Sequence, residues 1–199
     1  MNRSETVEGL LDQIASATPS GGGGAAAALV GATAAALVGM VAGVAVRRAT
    51  EDARLGEIVD EAEALRIRML ALIDRDVEAF GRVVEARRLT GDARAAAVSD
   101  ALIGATEVPL ELAAASARVL EQCAEVLPRA RPSTLADIGV AATLAAAALE
   151  GAALTARANL EILPASAFVA ESRRRLDGWL RQSATLRARL PRAGEDPGR

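Results

Sequence analysis

The sequence predicts an all-α protein, an antiparallel bundle of about six helices. Three observations carry that reading. Apolar residues recur at helical spacing, as in Val7, Leu10, Leu11 and Ile14, the i, i+3, i+4, i+7 pattern of one buried helix face. No segment shows sustained two-residue alternation or the β-branched, aromatic texture of strands. Apolar residues make up 51% of the chain, yet there are only two Phe, one Trp and no Tyr. The core must therefore be built from Ala, Leu and Val, which suits closely packed helices.

The elements follow in order. Thr6 to Ala17 reads as a short amphipathic helix, ended by Thr18-Pro19-Ser20-Gly21-Gly22-Gly23-Gly24. A second helix runs from about Gly24 to Arg48, and Ala25 to Val46 carries no charge. A joint near Ala49 to Asp52 leads to a long helix reaching Arg88, where Leu55, Ile58, Ala62, Leu65, Met69, Leu72, Phe80 and Val83 keep a helical period. Thr90-Gly91-Asp92 is a turn, with Asp92 placed to cap a helix from Ala93 to Val126. Pro109 falls inside that helix and predicts a kink or break near Glu107. Pro128 to Pro132 is a loop, and Ser133 or Thr134 can cap a helix to Ile162. Pro164 separates it from a last helix, Ala165 to Leu190. At 199 residues the chain suits one domain, residues 1–190, with 191–199 a disordered tail.

Small residues mark two of these helices. Ala27, Gly31, Ala35, Gly39 and Gly43 stand at successive i+4 steps, and Gly139, Thr143, Ala147, Gly151 and Thr155 repeat the device. Such stripes let helix backbones approach closely. The two helices are expected to lie against each other, or each against its symmetry mate. By length the Ala25 to Val46 stretch could span a bilayer. Its Ala and Gly content makes the gain from entering lipid small, so a buried core helix is the reading taken and no membrane is expected.

Composition removes several classes of function. A net charge of −3 gives no electrostatic case for nucleic acid. With no His, the commonest general acid–base and metal ligand is missing, so proton work falls to Asp or Glu. Cys123 is alone, which excludes a disulfide framework and a cysteine zinc site. Met1 to Glu5 carries no hydrophobic signal region, and a cytoplasmic protein is expected.

The glycine run opens directly onto the alanine-rich helix. Several backbone N–H groups there lack helical partners, and the helix dipole adds positive potential. Pro19, Gly22, Gly23 and Gly24 are therefore candidates for substrate binding. Asp76, Glu107 and Asp137 are candidate catalytic carboxylates in otherwise apolar surroundings, and Asn159 is a further candidate contact. Each also has a plain reading: a solvated helix charge for Asp76, a partner for groups freed near Pro109 for Glu107, a first-turn carboxylate for Asp137, and backbone satisfaction for Asn159.

Five segments in order resemble the formiminotetrahydrofolate cyclodeaminase / methenyltetrahydrofolate cyclohydrolase family. They are Thr18 to Ala25 with Met40-Val41-Ala42, Asp74 to Phe80, Ala105-Thr106-Glu107-Val108-Pro109-Leu110, Ala136-Asp137-Ile138-Gly139-Val140, and Leu149-Glu150-Gly151-Ala152 with Asn159-Leu160. The resemblance covers about Thr6 to Leu186. It implies an all-helical homodimer that binds a tetrahydrofolate and acts at its bridging one-carbon unit, with no metal or redox cofactor. The leading reading is the cyclodeaminase reaction, which closes 5-formiminotetrahydrofolate to 5,10-methenyltetrahydrofolate and expels ammonia; the alternative is the cyclohydrolase reaction. The cyclohydrolase interconverts 5,10-methenyl- and 10-formyltetrahydrofolate. The chain departs from the family pattern at Gly21, where the loop has a second proline, and at Ala25 and Ala136, where the family has serine. It also lacks the family's Lys and Tyr after Met40-Val41-Ala42. These losses fall on polar groups, so a non-catalytic folate-binding or structural helical dimer is the second reading.

Overall fold

The computed structural model describes residues 6–16, 22–47 and 52–191. Among them are six α-helices: α1 (Val7–Ala15), α2 (Gly23–Val46), α3 (Ala53–Arg88), α4 (Ala93–Val126), α5 (Leu135–Ile162) and α6 (Ala167–Arg187). Short 3₁₀ turns at Leu127–Arg129 and Pro132–Thr134 join α4 to α5. The all-α bundle expected from the sequence is the observed fold.

Helices α2, α3, α4 and α5 form an antiparallel ring in which each packs on the next and α5 returns to α2. Helix α6 lies against α4 and α5. The core is aliphatic: Leu55, Ile58, Leu72, Leu112, Leu120, Ile138 and Leu149 are fully enclosed, among alanines of α2 and α5. The small-residue stripe sets the α2 register. A Cβ added at Gly31 would meet Met69 Sδ at 3.0 Å and Ala148 Cβ at 3.3 Å, and one at Gly151 would meet Ala27 Cβ at 3.1 Å. The two stripe helices do lie against each other. On α5, however, Thr143 and Ala147 remain exposed, so only part of that stripe is used in the contact. By length and composition, α2 and the Pro132–Ile162 stretch could each cross a membrane; here they pack on one another.

Local rules hold at some helix ends and fail at others. Thr6 caps α1 by accepting from the Gly9 N–H at 3.1 Å, and Ser166 caps α6 by accepting from the Val169 N–H. Asp92 does not cap α4: its backbone is already helical (φ −65°, ψ −28°) and its side chain makes no capping bond. A cap needs an extended backbone to reach back to the first turn. Thr134 does not cap α5 either, because its hydroxyl is engaged with the Arg131 backbone at 3.1–3.2 Å. Of the kink or break expected near Glu107, the break does not occur: helix α4 continues through Pro109. The tail residues Arg192–Arg199 and the joint at residues 48–51 lie outside the described residues; Pro191 packs its carbonyl on Gly139 of α5.

Candidate functional site at the start of α2

The antiparallel register brings the start of α2, the Asp76 turn of α3, the Ala105 turn of α4 and the last turns of α5 to one end of the ring. Gly22 is the N-cap of α2 and offers no side-chain bond; its carbonyl accepts the Ala26 N–H at 3.1 Å. The N–H groups of Gly23, Gly24 and Ala25 therefore lack a helical acceptor. Gly22 and Gly23 are exposed, whereas Gly24 is buried. Pro19 lies outside the described residues.

Asp76 is the carboxylate that joins this helix end. It packs so closely on Gly24 that a Cβ added there would lie 2.6 Å from both carboxylate oxygens. Burial pushes its pKa above the ordinary carboxylate value, because desolvation disfavours the charged form. Among the described residues no cation or hydrogen-bond donor offsets that penalty. A half-buried carboxylate with a raised pKa and no partner among the described residues is a candidate for general acid–base work.

Asn159 and Thr155 face the same end from α5. The Asn159 amide N–H donates to the Ala105 carbonyl of α4 at 3.2 Å. Ala105 precedes Pro109 by four residues, so it is the carbonyl to which proline cannot donate. Asn159 thus repairs the gap that Pro109 makes in α4. That matches its plain reading and commits its donor side to structure. Thr155 was missed as a site residue. Its hydroxyl stands 4.0 Å from where a Gly23 Cβ would be, and it donates to the Gly151 carbonyl. Its sequence signals were its place at the end of the small-residue stripe of α5 and its spacing of four from Asn159.

The other candidates fall elsewhere. Glu107 is exposed on α4. Asp137 is half-buried in the first turn of α5. It stands eighteen residues from Thr155 along one helix, so the two are about 27 Å apart at 1.5 Å per residue. One chain therefore does not bring Asp137 to Gly22–Gly24. Cys123 is buried, which pushes its thiol up to about 12 and makes it a poor nucleophile. A separate open cavity of about 500 Å³ lies between the end of α3 and the start of α4, lined by Arg82, Glu85, Leu89, Asp100 and Gly104 among others. None of the expected site residues lines it.

Comparison with known proteins agrees with the fold and the motifs. The family described as formiminotransferase-cyclodeaminase matches residues 6–178. The chain is 35% identical to the methenyltetrahydrofolate cyclohydrolase of Methylorubrum extorquens, over 96% of both chains. It is 27% identical to the formimidoyltransferase-cyclodeaminase of Mus musculus, over 92% of this chain but only 36% of that protein. The crystal structure of formiminotetrahydrofolate cyclodeaminase from Thermotoga maritima superposes with a TM-score of 0.81, covering 93% of this chain and 96% of that one, at 22% identity.

Proposed function

The chain belongs to the formiminotransferase-cyclodeaminase family, and from that premise we propose that it is a folate enzyme making or opening the 5,10-methenyl bridge of tetrahydrofolate. Asp76 carries the proposal, as a desolvated carboxylate against the start of α2. The 5,10-methenyl carbon is the centre of an amidinium-like cation. An ionised Asp76 would stabilise that charge, the more strongly for being partly shielded from water.

In the cyclohydrolase direction, water adds to the carbon and gives up a proton to Asp76. The carbon–N5 bond then breaks as N5 takes that proton back and the hydroxyl proton passes to solvent to form the carbonyl, leaving 10-formyltetrahydrofolate and one released proton. In the cyclodeaminase direction, N10 attacks the formimino carbon, loses its proton, and ammonia leaves with that proton. Both routes need one group that accepts and returns a proton, and neither needs a metal or redox cofactor. The cyclohydrolase direction is favoured by the bacterial relative, which matches over nearly its whole length. The mouse cyclodeaminase is a much longer protein of which this chain spans about a third.

We also read the active form as a soluble homodimer. Thr33, Ala36 and Met40 of α2 and Val140, Thr143, Ala147 and Leu154 of α5 form an exposed, uncharged strip, with Glu150 at its edge. On the α2–α5 register Asp137 is level with Val41–Ala42. A two-fold axis across the middle of the strip, near Ala32, would bring Asp137 from a second copy level with Gly23. In this reading Asp137 joins the site only across the dimer.

The test is direct. Purified protein is mixed with 5,10-methenyltetrahydrofolate or 5-formiminotetrahydrofolate and methenyl absorbance is followed. Asp76→Asn should lower kcat by about a hundredfold, the usual scale for a lost general acid–base. Folate binding with no absorbance change in the wild-type protein would leave the non-catalytic binder as the correct reading.

A further inference from the structure

The three described glycines before Ala25, Gly22, Gly23 and Gly24, have different surroundings. Space around Gly22 is open, and a Cβ at Gly23 would meet only the Thr155 hydroxyl at 4.0 Å. At Gly24 the place of a side chain is taken by the Asp76 carboxylate, with Oδ1 and Oδ2 at 2.6 Å and Cγ at 2.7 Å from an added Cβ. Real Cβ atoms do not come that close to any atom, so alanine at this position and the observed Asp76 rotamer exclude each other.

We propose that Gly24 is a positioning residue: its missing side chain is the seat that holds the Asp76 carboxylate flat against the start of α2, turned to the reacting one-carbon centre. The inference rests on the folate reading above and deepens it. It replaces the role expected for Gly24, a bare peptide nitrogen cradling an anion. A buried residue covered by a carboxylate is a poor place for a carboxylate or phosphate of the substrate, because like charges repel. The part of the substrate that meets this end is the cationic one-carbon centre, and its anionic arm lies elsewhere.

The crowding falls on the free end of a flexible side chain, not on backbone. Gly24→Ala therefore keeps the helix, since alanine is the better helix former, and turns Asp76 out of its seat. Three variants are compared with wild type: Gly24→Ala, Asp76→Asn and the double variant, each assayed for kcat and KM with 5,10-methenyltetrahydrofolate and for thermal unfolding. Gly24→Ala should lose about tenfold or more in kcat with little change in KM or melting temperature, as for an interaction made only in the transition state. The double variant should be no slower than Asp76→Asn alone, because two changes acting through one group do not add.

Gly24→Ala within about twofold of wild type would overturn the proposal, as would full additivity of the two losses. Should Gly24→Ala fold poorly, recovered folding when Asp76 is replaced by Ser in the same chain supports the seat; no recovery overturns it. A wild-type protein that turns over neither folate defeats the folate reading itself. Turnover with an indifferent Gly24→Ala defeats only this inference.

Discussion

At the scale of single residues, Pro109 and Asn159 make a coupled pair. Proline lacks the N–H that would close the α-helical bond to the Ala105 carbonyl, and the Asn159 side chain supplies a donor from α5 at 3.2 Å. Losing that donor leaves a carbonyl unsatisfied at the α4–α5 contact. Asn159→Leu should cost about 1 kcal/mol in urea unfolding, the scale of one lost hydrogen bond at a part-buried contact. Pro109→Ala restores the N–H, so in that background the same Asn159 change should cost much less. An undiminished cost there would show that the two residues are not linked. Asp76 bears on pH. Its raised pKa means that ionising it opposes folding, so its penalty is present above the folded-state pKa and fades as pH falls through it.

At the scale of elements, packing sets the register and charge ties the far end. Gly31 sits where a Cβ would press on Met69 and Ala148. Gly31→Val should destabilise by about 1–3 kcal/mol, the usual cost of overpacking, read from the urea midpoint. At the other end of α3, Arg54 binds Glu57, Glu61 and Glu125 at 2.7–2.9 Å, and Arg118 of α4 binds Glu61, Glu121 and Glu125 at 2.6–3.0 Å. Hydrogen bonds from Arg54 and then Arg118 lower the Glu61 pKa from 4.5 to about 2. A lowered carboxylate pKa gives stability that is complete above 4.5 and is lost as pH falls toward 2. The network is partly exposed, so solvent screens it. Glu61→Gln should cost roughly 1 kcal/mol at pH 7, and its stability curve should converge on wild type at the acid end of that window. A difference that persists unchanged at low pH would rule out the charge origin.

At the scale of the whole molecule, the exposed strip on α2 and α5 is a large uncharged surface on a helical protein. Met40 is 42% exposed and Leu154 71%. Such patches mark association sites. Met40→Glu, placed near one end of the strip, should convert a dimer to monomers on a sizing column with light scattering, while the helical circular-dichroism signal stays. Since Asp137 and Gly22–Gly24 stand at opposite ends of one chain, mixed subunits give a sharper measurement. Asp76→Asn and Asp137→Asn proteins, each inactive alone, should recover part of the wild-type rate when unfolded and refolded together. No recovery would mean that Asp137 does not act across the dimer.

The sequence by itself determined the helices. Their number and most of their limits were legible because periodicity, glycine and proline act locally. The contact of the two small-residue helices was legible only as one of two alternatives, since small residues at every fourth position allow close packing on each other or on a symmetry mate. Which carboxylate meets the start of α2 was decided only by the tertiary structure. Asp76, Glu107 and Asp137 look alike along the chain, and the register between helices separates them: one lies against Gly24, one faces outward, and one stands at the opposite end of α5. The partner of Asn159 lies 54 residues away in sequence, and the missing cap at Asp92 turns on one backbone angle. Both depend on how separate segments settle against each other, where packing of the shared core outweighs local preference.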